Sequence, residues 1–297
     1  MPKFESLLEG SGLEARLQMN DEDFKLLRDF IRAESGIHFG ESSKPILEKR
    51  MSRLVRARRI RSYRDYYYFL RYDKRKDEEM DSVIDAVTTN ETYFFREERQ
   101  LKAFKDEILP ELHAEKLSRG DRTLRIWSAG CSSGEEPYTL AMLIMESKLF
   151  NDWRVEIFGS DINRRVLQIA RKGSYGNSSF RVTEKGYIDR YFKEDGGRRQ
   201  ISEDVKKLVN FSYMNLVDRP KINLLRTMDV IYCRNVIIYF ELSTKKALIE
   251  SLGERLAPGG FLMLGHSESL INITSSYELR HLKNDLVYQK PRKRRIF

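Results

Sequence analysis

The spacing of apolar positions changes along the chain. In the first third, apolar residues recur every three or four positions, as on one face of a helix. Asn20, followed by three acidic residues, has the composition of a helix start, and a second amphipathic helix is expected over residues 43–61. We therefore predict a small all-α domain at residues 20–87, after a loosely ordered segment at residues 1–19.

From residue 124 onward the pattern consists of short apolar runs that end in small or polar residues. These runs are LRIWSAG, VEIFGSD, VNFSYMNL, MDVIYCRN and GFLMLGHSE, beginning at residues 124, 155, 209, 228 and 260. Helical patterns lie between several of them. Such alternation predicts an α/β domain with a parallel-rich sheet covered by helices, in which ligands bind at the carboxyl ends of the strands.

One stretch interrupts this alternation. Residues 187–211 have irregular spacing, and Gly196-Gly197 lies between two short polar runs, as in a hairpin turn. We predict a small antiparallel β insertion here. On the residues alone, an ordinary surface hairpin and a docking role are equally open.

The net charge of +9 is concentrated in one block. Between Lys44 and Lys76 thirteen Lys and Arg stand against three acidic residues, a balance of +10, so the rest of the chain is close to neutral. On the helix expected at 43–61, Lys49 and Arg53 lie opposite the apolar face. A basic block of this kind favours an acidic partner surface. A smaller basic tail occupies residues 291–297.

The cysteine and histidine content and the length of the apolar stretches limit the classes of protein to which the chain can belong. The 297-residue chain has only two cysteines and four scattered histidines, so neither a disulfide framework nor a metal site is expected. The N-terminus lacks the layout of a signal peptide, and no apolar stretch approaches the roughly 18 residues of a membrane helix. We expect a cytoplasmic protein without a metal cofactor.

The first candidate binding element is the loop after the run at residue 124. Gly130 and Gly134 let the backbone approach a ligand closely, but their spacing departs from the dinucleotide fingerprint. Glu135 and Glu136 bring negative charge to the start of the next helix, where a pyrophosphate would need bare N–H groups. The loop therefore fits a cationic ligand better than an anionic one.

The second candidate element is Asp161, at the end of VEIFGSD. An acidic side chain here can accept hydrogen bonds from both hydroxyls of a ribose. It could equally cap the helix that begins near Asn163. Together with the Glu135 loop, Asp161 suggests a nucleoside with a positive charge, and S-adenosylmethionine, a sulfonium, is the candidate that fits.

Several motifs carry a resemblance to a known family. They are TTNETYFFRE (88–97), WSAGCSSGEEPY (127–138), GSDI (159–162), NL (215–216), CRNVIIYF (233–240) and GHSE (265–268). In this order they resemble the chemotaxis receptor methyltransferases of the CheR type. The likeness extends from residue 20 over nearly the whole chain, and TTNETYFFRE is its most specific part.

The resemblance implies a Rossmann-like class I methyltransferase domain at residues 88–290 that binds S-adenosylmethionine. The positions that match cofactor contacts in the family are Asn90, Thr92, Arg96, Glu135, Asp161, Asn215, Leu216, Arg234 and Asn235. Tyr239 matches a position near the transferred methyl group. For Asn90 and Arg96, composition alone gives only a helix start, with Arg96 paired to Glu97 or Glu98 on the surface. Arg234 and Asn235 could otherwise be a polar strand end, and Asn215 a turn residue.

The resemblance also implies the reaction and the partner. The family methylates glutamate carboxylates on the cytoplasmic helical domain of membrane chemoreceptors, giving methyl esters and S-adenosylhomocysteine for sensory adaptation. Arg96 or Tyr239 is expected to orient the carboxylate. The residues expected to dock against the acidic receptor helices are Lys49, Arg50, Arg53, Arg56 and Arg59. The β insertion resembles the receptor-docking subdomain of the family.

Two alternatives remain from other classes. Arginines and tyrosines alternate between Arg61 and Lys76, as in a surface that stacks single-stranded nucleic acid. Against a nucleic-acid methyltransferase, the sequence has no N-P-P-Y or D-P-P-Y run, and Cys233 lacks a preceding proline. A non-enzymatic scaffold that senses the cofactor would tolerate loss of the catalytic-domain motifs, yet all of them are present.

Overall fold

The structure, a computed structural model, describes residues 17–292. Most of the segment predicted at 1–19, and residues 293–297 of the basic tail, lie outside this part. The chain forms two compact units. One comprises residues 17–32 together with Phe39–Val87, and the other comprises Ala33–His38 and residues 88–292.

The first unit is helical, as predicted. Its helices are α1 (Asp21–Ser35, whose last three residues belong to the other unit), α2 (Lys44–Ala57), α3 (Tyr63–Tyr72) and α4 (Lys76–Val87). Asn20 begins α1, because its Oδ1 accepts a hydrogen bond from the Asp23 N–H at 2.7 Å. Leu47, Met51 and Val55 are fully buried on one face of α2, which packs against α4. The helical spacing in the sequence is therefore the spacing of the core.

The opposite face of α2 is basic. Lys49, Arg53 and Arg56 are exposed. Arg50 differs, because it is half-buried and donates a hydrogen bond to the Val87 carbonyl. The helix ends at Ala57 instead of residue 61, so Arg59 lies in the following turn with a φ of +55°.

In the part of the chain that the structure describes, the second unit contains ten strands. They are β1 (Thr123–Ala129), β2 (Arg154–Asp161), β3 (Ser174–Tyr175), β4 (Phe192–Asp195), β5 (Arg198–Ile201), β6 (Val209–Tyr213), β7 (Met228–Cys233), β8 (Leu256–Leu264), β9 (Glu278–His281) and β10 (Leu286–Gln289). Seven form a mixed sheet in the order β6-β2-β1-β7-β8-β10-β9, in which β6, β2, β1, β7 and β8 are parallel. The five predicted apolar runs are these five parallel strands.

Helices precede and connect the strands of this unit. They are α5 (Glu98–Ala103), α6 (Leu109–Ser118), α7 (Glu135–Ser147), α8 (Arg164–Lys172), α9 (Lys185–Tyr191), α10 (Glu203–Lys206), α11 (Arg219–Asn223) and α12 (Leu242–Arg255). A π-helical turn, Phe104–Ile108, joins α5 to α6. None of the helices within residues 17–292 has the length and apolar character that crossing a bilayer requires. The predicted α/β architecture is confirmed.

A separate antiparallel sheet has the order β3-β5-β4. Gly196 and Gly197, with φ of +56° and +77°, form the predicted turn between β4 and β5. The small sheet starts at β3, before the predicted range. The sequence did not predict this strand, because β3 has only two residues and carries no recognisable periodicity. The small sheet also ends earlier, since β6 pairs with β2 of the main sheet.

Candidate S-adenosylmethionine site

The candidate site begins where β1 and β2 end. The N–H groups of Gly130 and Cys131 donate to the Ser160 carbonyl at 2.8 and 2.9 Å, so the loop after β1 runs close to the end of β2. Gly130 has a φ of +84°, and a Cβ there would lie 2.4 Å from Val236 Cγ2. Only glycine fits this close approach without strain. The turn is therefore fixed by both conformation and space.

Asp161, at the end of β2, connects two loops. It is 8% exposed, and its Oδ2 accepts the Ser132 N–H at 2.8 Å while its Oδ1 accepts the Asn163 N–H at 2.9 Å. Asn163 itself caps α8 by accepting from the N–H groups of Arg165 and Val166. Asp161 is thus not the helix cap. The Ile162 N–H is a third donor to this carboxylate, which leaves about one of its four lone-pair sites for a ligand hydroxyl.

Glu135 is the first residue of α7 and is 2% exposed. Its carboxylate accepts the hydroxyls of Ser133 at 2.7 Å and Ser179 at 3.0 Å. Burial raises the pKa of Glu135 and of Asp161, and within residues 17–292 no basic side chain offsets this effect at either group. Two buried carboxylates without a cationic partner, next to a glycine-lined loop, fit a positively charged nucleoside.

The segment 88–97 is connected to both loops. Ser132 Oγ donates to the Asn90 carbonyl at 3.2 Å. Asn163 Nδ2 and Asn90 Nδ2 each donate to Thr88 Oγ1, at 3.0 and 3.1 Å. These bonds bring Asn90 next to the Ser132 and Asp161 loops, as expected of residues that share one ligand.

Phe94 anchors the same segment in an aromatic cluster. Its buried ring lies with its centroid 4.9 Å from Tyr175, 5.2 Å from Phe180 and 5.0 Å from Phe192. The Phe94 N–H also donates to the Ser179 carbonyl at 2.9 Å. Tyr175 belongs to β3 and Phe192 to β4, so the segment is packed against the small sheet.

Arg96 and Thr92 are both half-buried in this segment. Nη1 of Arg96 donates to the Glu91 carbonyl at 2.9 Å, and its guanidinium carbon lies 5.8 Å from the centre of the Tyr93 ring. The alternative surface pairing with Glu97 or Glu98 is not found, because Glu98 pairs with Lys102 and Glu97 faces Arg234.

Arg234, immediately after β7, lies in a buried ionic cluster. Its side chain is 3% exposed, with Nε 3.3 Å from Glu97 Oε2 and Nη1 3.5 Å from Glu136 Oε2. Nη2 donates to the Arg96 carbonyl at 2.8 Å. Burial raises the pKa of Glu136, and the positive charge of Arg234 opposes this shift. Arg234 thereby joins the segment 88–97 to the end of β7.

Asn215 and Leu216 follow β6. The preceding residue, Met214, donates through its N–H to the Asp161 carbonyl at 3.0 Å, which places this turn beside the end of β2. Asn215 Nδ2 donates to the Glu34 carbonyl at 2.7 Å, and its Oδ1 accepts the Val217 N–H at 3.2 Å. Leu216 is 9% exposed. Asn215 therefore also has the turn role that its sequence allowed.

Asn235 and Tyr239 lie in the loop after β7. Asn235 has a φ of +57°, and Tyr239 ends a short 3-10 helix, Ile237–Tyr239. Tyr239 is half-buried, and its carbonyl accepts the His38 N–H at 2.8 Å. The N–H of Asn235 donates to Glu268 at 2.7 Å.

Hydrogen bonds thus connect the segments that carry Asn90, Arg96, Asp161 and Arg234. The contacts of the residues that flank them in the chain position Thr92 and Leu216. Several residues that hold these groups had no role at the site on the sequence alone. They are Ser132, Asn163, Ser179 and Glu268. All but Ser179 lie within or next to the quoted motifs, so their position was visible although their contacts were not.

Two family models match the chain. The model described as "CheR methyltransferase, SAM binding domain" matches residues 90–285, and the one described as "CheR methyltransferase, all-alpha domain" matches residues 22–88. Together they cover both units of the structure.

Curated relatives agree with the family models. The chain is 36% identical to "Chemotaxis protein methyltransferase 2" of Vibrio cholerae, over 93% of this chain and 95% of the relative. It is 33% identical to "Chemotaxis protein methyltransferase 1" of Pseudomonas aeruginosa, over 90% and 97%. A Borreliella burgdorferi chemotaxis protein methyltransferase is 35% identical, over 79% and 83%. With its S-adenosylmethionine-binding and all-α domains both matched, the chain belongs to the CheR methyltransferase family.

Proposed function

We propose that this protein transfers the methyl group of S-adenosylmethionine to glutamate side-chain carboxylates of methyl-accepting chemoreceptors. The observation that carries the proposal is a pair of buried carboxylates whose raised pKa no basic side chain within residues 17–292 offsets: Asp161 at the end of β2 and Glu135 at the start of α7. The names of the relatives support the chemotaxis substrate.

The residues fit the cofactor in chemical type. Asp161 can still accept a ribose hydroxyl, and Glu135 supplies the negative charge that a cationic ligand needs. We assign further contacts to the cofactor at Asn90, Thr92, Arg96, Asn215, Leu216 and Asn235. Arg234 contributes by holding the Arg96 backbone, because its guanidinium is engaged with Glu97, Glu136 and the Arg96 carbonyl.

The proposed reaction needs no general base. A glutamate carboxylate has an ordinary pKa near ~4.3 and is ionised at neutral pH. The bound cofactor supplies an electrophilic methyl group: a new O–CH₃ bond forms at the carboxylate as the C–S bond breaks, and its electron pair stays on sulfur, giving S-adenosylhomocysteine. The chain must align the carboxylate and exclude water, since the opposite charges disappear in the transition state.

We assign the alignment of the carboxylate to Arg96 or Tyr239. An arginine offers a planar fork of donors that matches a carboxylate. Pairing that is too tight would stabilise the ionised substrate more than the transition state and slow the reaction. The engagement of Arg96 Nη1 by the Glu91 carbonyl leaves the remaining donors for a moderate contact.

Docking of the receptor is assigned to the basic face of α2. Lys49, Arg53 and Arg56 are exposed there, with Arg59 in the next turn, and they present positive charge to acidic receptor helices. Arg50 takes part less directly, because it is half-buried and bonded to the Val87 carbonyl.

One observation keeps nucleic acid as a second candidate substrate. Tyr63 and Tyr66 are buried in the core, but Tyr68 and Tyr72 are 50% and 72% exposed, with ring centroids 6.3 Å apart. Arg71 lies 5.9 Å from the Tyr72 ring. An exposed aromatic and cationic surface can stack bases.

A single labelling experiment tests the proposal. The protein is incubated with S-adenosylmethionine radiolabelled in the methyl group and with bacterial membranes that contain chemoreceptors, with receptor-free membranes, or with nucleic acid. We expect label only with receptor membranes, released as methanol by mild alkali because methyl esters hydrolyse. Alkali-stable label on nucleic acid would favour the second candidate, and no transfer to any acceptor would contradict both.

A further inference from the structure

The loop after β7 needs an acceptor for several backbone N–H groups. Asn235 has a left-handed φ of +57°, and Ile237–Tyr239 forms a single 3-10 turn. Successive N–H groups in such a turn point toward one side and form a concave site for an anion. Leaving them unpaired inside the protein would cost free energy at each group.

Glu268 is that acceptor. Its Oε2 accepts the N–H of Asn235 at 2.7 Å and of Gly265 at 2.8 Å, and its Oε1 accepts the N–H of Val236 at 2.9 Å and of Ile238 at 3.3 Å. Four donors use about all the lone pairs of one carboxylate. Hydrogen bonds to a charged group are stronger than neutral ones, so this carboxylate fixes the loop firmly.

Gly265 lies so close to Asn235 and Glu268 that a side chain at this position would disturb their contact. A Cβ at Gly265 would lie 2.8 Å from Asn235 Nδ2 and 3.0 Å from Glu268 Oε2. Gly265 follows β8, which is parallel to β7 and adjacent to it. The Glu268 carboxylate therefore ties the ends of two neighbouring strands at the edge of the sheet where the site lies.

We propose that Glu268 is a positioning residue for methyl transfer, which holds the backbone from Asn235 to Tyr239 in its reactive arrangement. The proposal rests on the function proposed above and on Tyr239 as an orienting group. The Glu268 carboxylate, which belongs to the same chain, also occupies the anion-binding site that this turn forms. An incoming substrate carboxylate is thereby kept off the N–H groups of Asn235 and Val236, which would otherwise stabilise it in the ground state.

The test compares Glu268→Gln with the matched control Glu278→Gln, an exposed residue of β9. A glutamine has one acceptor oxygen and one NH₂ donor, so it cannot accept all four N–H groups. We expect the turnover of full-length Glu268→Gln with receptor membranes to fall by about tenfold or more, since displacement of a positioned group by ~1 Å can cost a hundredfold. We expect its KM for receptor to change less than twofold, and Glu278→Gln to behave as wild type.

Amide hydrogen exchange of the ligand-free protein supplies a readout independent of activity. The amides of Asn235, Val236 and Ile238 should exchange about tenfold faster in Glu268→Gln than in wild type. Gly265→Ala, which pushes Asn235 and Glu268 apart, should reproduce both effects, so the test stands even if Glu268→Gln does not fold. Unchanged exchange, or faster exchange with wild-type turnover, would overturn the proposal. If wild type itself fails to methylate receptors, the proposed function fails, and the exchange data still decide whether Glu268 holds the loop.

Discussion

The Asp161 carboxylate accepts the backbone N–H of Ser132 at 2.8 Å, which joins the end of β2 to the loop after β1. In Asp161→Asn one acceptor oxygen becomes an NH₂ group, so both this bond and ribose recognition are weakened. We expect the Kd for S-adenosylmethionine to rise about tenfold or more, which corresponds to the loss of ~1–3 kcal/mol. Isothermal titration calorimetry measures this change.

The control for this variant is Asp204→Asn. Asp204 is an exposed residue of α10 that pairs with Lys207 at the surface. Its loss should leave the Kd within twofold of wild type. Equal affinities for Asp161→Asn and wild type would remove Asp161 from the cofactor site.

Glu135→Gln should have opposite effects on the thermal stability of the ligand-free protein and on cofactor binding. Burial raises the pKa of Glu135, so its charged form destabilises the ligand-free protein at neutral pH. Removing the charge should raise the ligand-free Tm by about 2–4 °C, which corresponds to ~1 kcal/mol in a unit of this size. The same change should weaken binding of the cationic cofactor about tenfold. Differential scanning calorimetry and titration calorimetry measure the two effects.

The pH dependence of the same residue has a definite sign. The cofactor cation needs the ionised carboxylate, so wild-type affinity should fall as pH is lowered through the pKa of Glu135, which burial raises above its ordinary value. The gain in ligand-free Tm in Glu135→Gln should follow the same course and disappear at low pH, where the wild-type Glu135 is already neutral. An affinity for cofactor that did not depend on pH from neutral to about 4, below the ordinary pKa of a glutamate, would contradict a charged role for Glu135.

Arg96→Ala and Tyr239→Phe test the alignment of the substrate carboxylate. At least one should lower kcat for receptor methylation about tenfold, because the reacting oxygen would lose its orientation. Tyr277→Phe, which removes a hydroxyl bonded to the Ile249 carbonyl, is the matched control. Normal cofactor binding together with wild-type turnover in both test variants would show that neither residue orients the substrate.

Reversing two charges on α2 tests receptor docking. In Arg53→Glu/Arg56→Glu the KM for receptor should rise about fivefold or more at low salt, and the difference should shrink as salt screens the field. The Kd for S-adenosylmethionine should not change. Arg122→Glu/Lys246→Glu makes the same change in net charge on exposed residues elsewhere and should leave KM unchanged. An equal rise of KM in both double variants would reduce docking to a general charge effect.

Local patterns in the sequence predicted the parallel strands, the helices between them, and the positions of Glu135 and Asp161. These features depend on neighbouring residues, whose periodicity is visible in the chain. Long-range contacts leave no such periodicity in the sequence. Arg234 contacts Glu97 and Glu136 only because the fold brings three distant segments together. Asn215 likewise finds the Glu34 carbonyl, 181 residues away.

The packing of Phe94 against Tyr175, Phe180 and Phe192 makes the small sheet and the segment that carries Asn90 and Arg96 one cooperative body. Whatever orders the small sheet therefore also favours order in the segment that carries Asn90 and Arg96, and the reverse holds as well. By thermodynamic reciprocity, a peptide that tightened the hairpin around Gly196 would raise the affinity for cofactor by the same factor by which cofactor raised the affinity for peptide. The aromatic cluster is in that sense a coupling between the small sheet and the proposed cofactor site.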